Sequence, residues 1–407
     1  MGMRPRLVLD VSNLTAHYHR FIRTGIQEVI YQTLLATVQL REEFSDIEIV
    51  LMPFLPRQGM LNGKNTTLIP YPDTPFSVLK EIEDSMSLRS EELWGAPIAY
   101  SERERILLLS SATWIHFQGL INIGPLAAFI QCESINLSMT VYDLIPVLFP
   151  EYTPPGIAAW FQKYYLPSLS AHVKKAVGIS YCTARDLREN AISQSIPEIY
   201  ALPLPFDSMP TSSLDFSILK RLSVAEGAYL VYIGSLEPRK NLPAIIDGLE
   251  CYIQKFPESD LKIVWVGSTG WKNDWILRKL ERSNVKNRIV RPGYLSDQDL
   301  DQLIRLSGGI IMLSQYEGFG LPVAQGFSRG VPIITNYSSS LPEACLGDAI
   351  FCDPSSPDAV AQAITRSFWA PVSRFRKNAV QQWNWLSYTR DLIKVIIGET
   401  PRRARLI

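Results

Sequence analysis

Histidine and cysteine are scarce in this chain, four and five residues respectively out of 407. The cysteines (Cys132, Cys182, Cys251, Cys345 and Cys352) are odd in number and scattered, with no C-x-x-C pair. That argues against a disulfide framework or a zinc site and for buried thiols in a reducing compartment. His17, His19, His116 and His172 lack the spacing of a metal cluster. Net charge is also missing: 40 Lys and Arg balance 40 Asp and Glu, against a protein whose main partner is nucleic acid. No apolar run approaches the roughly 18 residues of a membrane span. The start, MGMRPRLVLDVSNLT, passes into a strand-like segment without the apolar stretch of a signal peptide. A cytoplasmic location follows as the expectation. Finally, no G-x-G-x-x-G lies between a strand and a helix, which weakens any nicotinamide-binding reading.

Hydrophobic residues are 46% of the chain and aromatics 10%, enough for a folded protein of two domains of roughly 150–200 residues each. Strand-like apolar runs alternate with helix-like periodicity, the pattern of an α/β fold with parallel sheets. RLVLDVS, IEIVLMPF, ATWIHF, MTVYDLIP, AVGIS and IYALPLP are the strand candidates of a first series. PLPFDSMPTSSLDF, rich in Pro and Ser, reads as a linker. YLVYIGS, LKIVWVGS, RIVRPGYL, GGIIMLSQ, VPIIT and AIFCD form a second series. Two doubly wound domains are expected, residues 1–205 and 206–382, with ligands beyond the carboxyl ends of their strands.

Two segments carry chemistry. In YIGSLEPRKNLPAIIDGL, Arg239 and Lys240 precede a helix for which Asn241 is the candidate N-cap. Two cations beside a helix N-terminus suit a phosphate; a solvated basic pair is the competing reading, although it sits unfavourably on the helix dipole. In LSQYEGFGLPVAQGFSRG, a strand ends at Glu317, and Gly318 and Gly320 flank Phe319 before the next helix. The glycines permit close backbone approach to a ligand, and Glu317 is suited to accept hydrogen bonds from hydroxyls. Asp297-Gln298-Asp299 is a D-x-D metal signature, yet Ser296 before it reads as an N-cap with acids in the first turn. Trp265 and Trp271 are expected to pack in the core.

GSLEPRKN, RPGYLSDQDL, SQYEGFGLP…QG and SSSLPEACLGDAIFCDP, in this order, resemble the C-terminal domain of retaining glycosyltransferases of family 4. YDLIPVLFPEY and LDVSN…RTGIQEVI resemble the N-terminal domain of bacterial members that build polysaccharides. The resemblance implies the GT-B fold, two Rossmann-like domains facing a central cleft, with a terminal helix in residues 383–407 crossing back to the first. It implies that Arg239 and Lys240 bind the donor diphosphate and that Glu317 holds hexose hydroxyls. Gly318, Phe319, Gly320 and Leu321 would contact sugar and phosphate through their backbone, and Gly234 and Ser235 belong to the same donor loop. Tyr294 and Leu295 would hold the base, and Gly25 and Ile26 would close over the diphosphate. Tyr142 and Asp143 stand where many members read His-Asp. Gln325 stands where relatives carry the second Glu of an E-x7-E pair, which holds ribose; an amide there loses charge and acceptor sites.

The activity implied is metal-independent transfer of a hexose to a glycan or lipid-linked acceptor, with retention and no cofactor beyond the nucleotide sugar. A UDP-sugar resembling UDP-glucose is expected over a GDP-sugar. A catalytically silent nucleotide-sugar-binding homologue is the alternative from a different class, and a GT-B epimerase or phosphorylase another. No nucleic acid is expected as partner. The tail PRRARLI carries three arginines, a weak signal for peripheral association with an anionic membrane.

Overall fold

YLVYI, the strand Tyr229–Ile233, is buried at four of its five positions, because residues alternate between two faces that are both covered. Leu230 and Tyr232 enter one apolar cluster with Ile263, Trp265, Ile311 and Leu313. Tyr229 and Val231 enter a second with Val264, Val266, Leu303 and Ile304. This computed structural model describes residues 5–10, 25–52, 67–68, 98–99, 106–110, 136–191, 197–206, 213–369 and 374–407. The chain divides into two compact units. The first comprises Met1–Val147, Gly156–Leu202 and Trp385–Ile407; the second comprises Leu148–Pro155 and Pro203–Asn384.

The second unit holds a six-stranded parallel sheet. Its strands lie in the order Ile289–Gly293, Lys262–Val266, Tyr229–Ile233, Ile310–Met312, Ile333–Thr335 and Ile350–Phe351. Numbered along the chain this is 3-2-1-4-5-6, so the winding reverses between Tyr229–Ile233 and Ile310–Met312, which pair directly. Helices Leu242–Lys255 and Pro357–Ser367 pack together over one face, with Gly248 seated against Val360 so closely that a Cβ would overlap its side chain. Helix Asp297–Arg305 covers the other face through Leu303 and Ile304.

In the first unit a seven-stranded sheet runs Arg405–Leu406, Glu198–Ala201, Lys175–Gly178, Asn136–Val141, Ile106–Ser110, Arg6–Asp10 and Glu48–Met52. All neighbours are parallel except Arg405–Leu406, which pairs antiparallel with Glu198–Ala201. Helix Trp385–Ile397 belongs to this unit: Lys175 Nζ donates to the Val395 carbonyl at 2.8 Å, and Arg390 meets Glu43 at 2.7 Å. Among the described residues no helix is long and apolar enough to cross a membrane.

Several expectations are corrected. The linker segment begins as core: Leu204 and Phe206 are buried, and Phe206 stacks on Phe327 with ring centres 4.5 Å apart. Prolines and serines around them disguised two buried apolar residues. Leu148–Pro155, expected in the first domain, belongs to the second unit. Phe149 packs on Tyr316 at 5.2 Å, and the Tyr152 carbonyl accepts from Trp271 Nε1 at 2.6 Å. Trp265 is buried, whereas Trp271 is 40% exposed. The ATWIHF segment lies outside the described residues, as do His17, His19 and His116; the strand in that region is Ile106–Ser110.

Candidate functional site

The carboxyl ends of Tyr229–Ile233 and Ile310–Met312 lie side by side where the winding reverses, the place where doubly wound sheets bind ligands. The chain leaves the first strand through Gly234 and Ser235 and makes a 3-10 turn, Pro238–Lys240, before helix Leu242–Lys255. It leaves the second through Ser314–Gly320 before helix Leu321–Ser328. The amide of Gln315 donates to the Arg239 carbonyl at 2.8 Å, joining the two loops through their backbones. Arg239, Lys240 and Glu317 therefore converge although 77 positions separate Glu317 from Lys240.

Glu317 is the centre of this cluster. Its Oε2 lies 2.9 Å from Arg239 Nη1, and its Oε1 lies 3.3 Å from Lys240 Nζ and accepts from Ser314 Oγ at 2.8 Å. Its backbone is fixed as well: the amide donates to Ser339 Oγ at 2.8 Å and the carbonyl accepts from Ser340 Oγ at 2.8 Å. Arg239 also donates through Nη1 to the Tyr316 carbonyl and lies 3.3 Å through Nη2 from Glu237 Oε2. Ser235 Oγ donates to the other oxygen of Glu237. Glu237 (5%), Arg239 (7%), Glu317 (8%) and Lys240 (9%) are all nearly withdrawn from solvent. Ionised groups are this buried only when paired.

Burial by itself would raise the Glu317 carboxyl, but Arg239, then Lys240 and the Ser314 hydroxyl outweigh it and hold the group down at about 2. Glu317 is thus a fixed anion at neutral pH. Two devices shape the space around it. Gly234 has φ +148°, where a side chain would be strained, and its bare Cα leaves room for the Lys240 stem. Gly320, at φ +97°, starts the helix Leu321–Ser328. Neither that helix nor Leu242–Lys255 is capped by a side chain; the Ala244 and Val323 amides donate instead to the Asn241 and Gly320 carbonyls, at 3.2 and 2.9 Å, and Pro243 and Pro322 carry no N–H. Asn241, the expected N-cap, occupies the position in left-handed geometry without a side-chain capping bond.

Other residues singled out in the sequence are placed as follows. Gly318 and Phe319 are buried within the Glu317 loop, and Leu321 begins its helix. Gln325 is half-buried one turn further on. Tyr294, 49% exposed, and Leu295 follow strand Ile289–Gly293, with Leu295 packed on the apolar cluster below. Tyr142, Asp143, Gly25 and Ile26 belong to the first unit. There Tyr142 is buried and its carbonyl accepts from Thr183 Oγ1 at 3.3 Å, while Asp143 Oδ1 accepts from the Ile145 amide at 3.0 Å. Gly25 and Ile26 open helix Gly25–Gln39. Ser296 caps helix Asp297–Arg305 by accepting from the Asp299 amide at 3.1 Å, and Asp299 pairs with Arg221 at 2.7 Å. Among the described residues no three His, Cys, Asp or Glu side chains are grouped to hold a metal ion.

Sequence reasoning missed Glu237, Ser314 and the Ser339–Ser340 pair. Glu237 is visible as a carboxylate two residues before Arg239, and Ser314 as a hydroxyl three residues before Glu317. Asn336, at the carboxyl end of Ile333–Thr335, was also missed. Its Nδ2 donates to the Ser314 carbonyl at 3.1 Å, and its Oδ1 is buried without a hydrogen-bond partner among the described residues.

Comparison with known proteins agrees with this picture. Residues 218–381, which contain the whole cluster, match the family described as Glycosyl transferases group 1. The chain is 28% identical over 263 residues to the O-antigen chain mannosyltransferase B of Escherichia coli, covering 62% of this chain and 68% of that protein. It is 24% identical over 266 residues to the serotype-specific mannosyltransferase WbdA of Escherichia coli, of which it spans 32%. Among solved structures it resembles Anabaena Alr3699/HepE in complex with UDP-glucose, with a TM-score of 0.63 at 15% identity over 97% of this chain and all of that one. Trehalose-6-phosphate synthase OtsA gives 0.62 at 11% identity over 98% of this chain and all of that one. Fold and family model converge: the chain has the GT-B fold, and its residues 218–381 match the Glycosyl transferases group 1 family.

Proposed function

We propose that the chain transfers a hexose from a nucleoside diphosphate hexose to a growing bacterial glycan or lipid-linked saccharide, with retention of the anomeric configuration. The observation that carries this reading is the buried Arg239–Lys240–Glu317 cluster at the winding reversal, beside two helix starts without side-chain caps. The transferred sugar is read as mannose, supported by the two mannosyltransferases among the sequence relatives. The UDP-glucose-like donor expected from sequence is the competing reading, supported by the fold shared with Alr3699/HepE.

The chemistry asks for fixed positive charge. The bond between the anomeric carbon and the diphosphate oxygen breaks, leaving an oxocarbenium-like sugar and a departing anion. Cations already in place stabilise that anion without reorganising. The Arg239–Lys240 pair sets the charge on this corner, and Glu317, ionised at neutral pH, accepts from hexose hydroxyls. The acceptor hydroxyl attacks the same face of the anomeric carbon, and its proton passes to the leaving phosphate oxygen. Gln325 keeps an acceptor for ribose, and Tyr294 and Leu295 flank the base. A lipid-linked acceptor would place this work at the cytoplasmic face of a membrane.

The deciding experiment is a thermal-shift panel of UDP, GDP, UDP-glucose and GDP-mannose, followed by transfer or donor hydrolysis with the best ligand. A ligand at about 100 times its dissociation constant stabilises the fold by roughly 2.7 kcal/mol. Stabilisation by GDP-mannose above all others supports the mannosyl reading, and by UDP-glucose the competing one. Binding without any turnover would leave the silent homologue as the better description.

A further inference from the structure

Arg239 and Lys240 are adjacent in sequence, yet their surroundings differ. The Arg239 guanidinium is consumed internally: Nη1 meets Glu317 Oε2 at 2.9 Å and the Tyr316 carbonyl, and Nη2 meets Glu237 Oε2 at 3.3 Å. Two buried carboxylates and a carbonyl thus share one planar cation, a geometry that only the guanidinium fork can satisfy. Lys240 is different. Among the described residues Glu317 Oε1, at 3.3 Å, is the one acceptor at its Nζ. An ammonium carries three donors, so Lys240 retains hydrogen-bonding capacity and lies against the bare Cα of Gly234, at the loop leaving the first strand.

We infer that the two cations divide the work: Lys240 meets the donor diphosphate, while Arg239, gripped between Glu237 and Glu317, is a positioning residue that aims Glu317 at the hexose. This rests on the nucleotide-sugar reading of the site. Withdrawing Arg239 to a phosphate would strand Glu237 in a nearly dry place with, among the described residues, the Ser235 hydroxyl as its remaining partner, and an uncompensated buried charge is strongly unfavourable. Moving Lys240 strands less, because Glu317 keeps Arg239 and Ser314.

The test separates nucleotide from hexose. Calorimetry measures the affinity of UDP and GDP, and of UDP-glucose and GDP-mannose, for the parent, Lys240→Gln, Arg239→Lys and Glu237→Gln. Lys240→Gln should lose roughly tenfold or more in nucleoside diphosphate affinity, the size of a charge-assisted contact. Arg239→Lys retains the charge but not the fork. It should bind the sugar-free nucleotide within about threefold of the parent, a few tenths of a kcal/mol, and lose the extra affinity that the hexose confers. Glu237→Gln loosens the grip without touching Arg239. It should likewise reduce only the hexose increment, whereas an Arg239 that serves the phosphate would be released and nucleotide binding would tighten. Equal loss of nucleotide affinity in Arg239→Lys and Lys240→Gln, or tightening in Glu237→Gln, overturns the division of labour while leaving the donor site intact. A parent that binds none of the four ligands overturns both.

Discussion

Gly234 and Lys240 fit each other: a Cβ on Gly234 would fall 2.9 Å from both Cδ and Nζ of Lys240. The strand exit is therefore bare so that the lysine can lie along it. Gly234→Ala should cost about 1–3 kcal/mol of stability from its positive φ and also weaken nucleotide binding by displacing the ammonium. Gly248→Ala makes the contrast. It overpacks against Val360, for roughly 1–3 kcal/mol, but lies among packed helices, so nucleotide affinity should not change. Chemical denaturation with nucleotide titration separates the two, and identical ligand affinities in both variants would contradict the pairing.

Glu317→Gln keeps the shape of the side chain and removes its charge. Charge-assisted hydrogen bonds are worth roughly 1.5–3 kcal/mol against about 1 for neutral ones. Donor kcat/KM should fall about tenfold or more, while sugar-free nucleotide binds as before. Parallel loss of nucleotide affinity would show that Glu317 touches the nucleotide.

The same residue predicts an acid limb. Its folded carboxyl is held at about 2 against an ordinary 4.5. A lowered folded value contributes stability that is present above the unfolded value and lost as pH falls through the folded one. The parent should therefore lose stability relative to Glu317→Gln as pH drops from about 4.5 toward 2. Parallel acid profiles would mean that Arg239 and Lys240 do not hold the carboxylate.

Gln325→Glu introduces the carboxylate that the family resemblance implies at this position. The difference between charged and neutral hydrogen bonds gives roughly 1 kcal/mol, or about fivefold tighter nucleotide binding, opposed by repulsion from the donor phosphates. Calorimetry with the nucleotide that binds best decides it. Unchanged affinity in both Gln325→Glu and Gln325→Ala would remove this residue from the ribose.

The D-x-D pair is tested from two sides. Ser296→Ala should cost about 1 kcal/mol, as loss of an N-cap does. Asp297→Asn with Asp299→Asn should leave nucleotide affinity unchanged, and EDTA should leave turnover unchanged. Loss of turnover rescued by Mn²⁺ would restore a metal role.

What the sequence made legible was whatever a short window can hold. YLVYIGS and GGIIMLSQ are apolar runs closed by turn residues, and they mark both strands flanking the site. EPRKN and EGFG, read next to those ends, located the cluster. What could not be read was reach across the chain. Trp271 resembles a core residue until Tyr152, 119 positions away, proves to accept its N–H. Glu237 resembles a solvated acid until Arg239 is seen to be shared with Glu317. Phe206 hides in a Pro/Ser stretch because its partner Phe327 is far along the chain.

The first unit is closed by residues from the other end of the chain. Helix Trp385–Ile397 and strand Arg405–Leu406 complete it, and that strand covers the edge of Glu198–Ala201. During synthesis this edge exists roughly 200 residues before its cover, about 10–40 s at ordinary elongation rates. Through that interval it presents unpaired backbone groups that invite pairing with other chains. The second unit, Leu148–Pro155 with Pro203–Asn384, takes no segment beyond Asn384. Residues beyond Asn384 therefore finish the sheet that holds Arg6–Asp10, and its edge stays unpaired until they arrive.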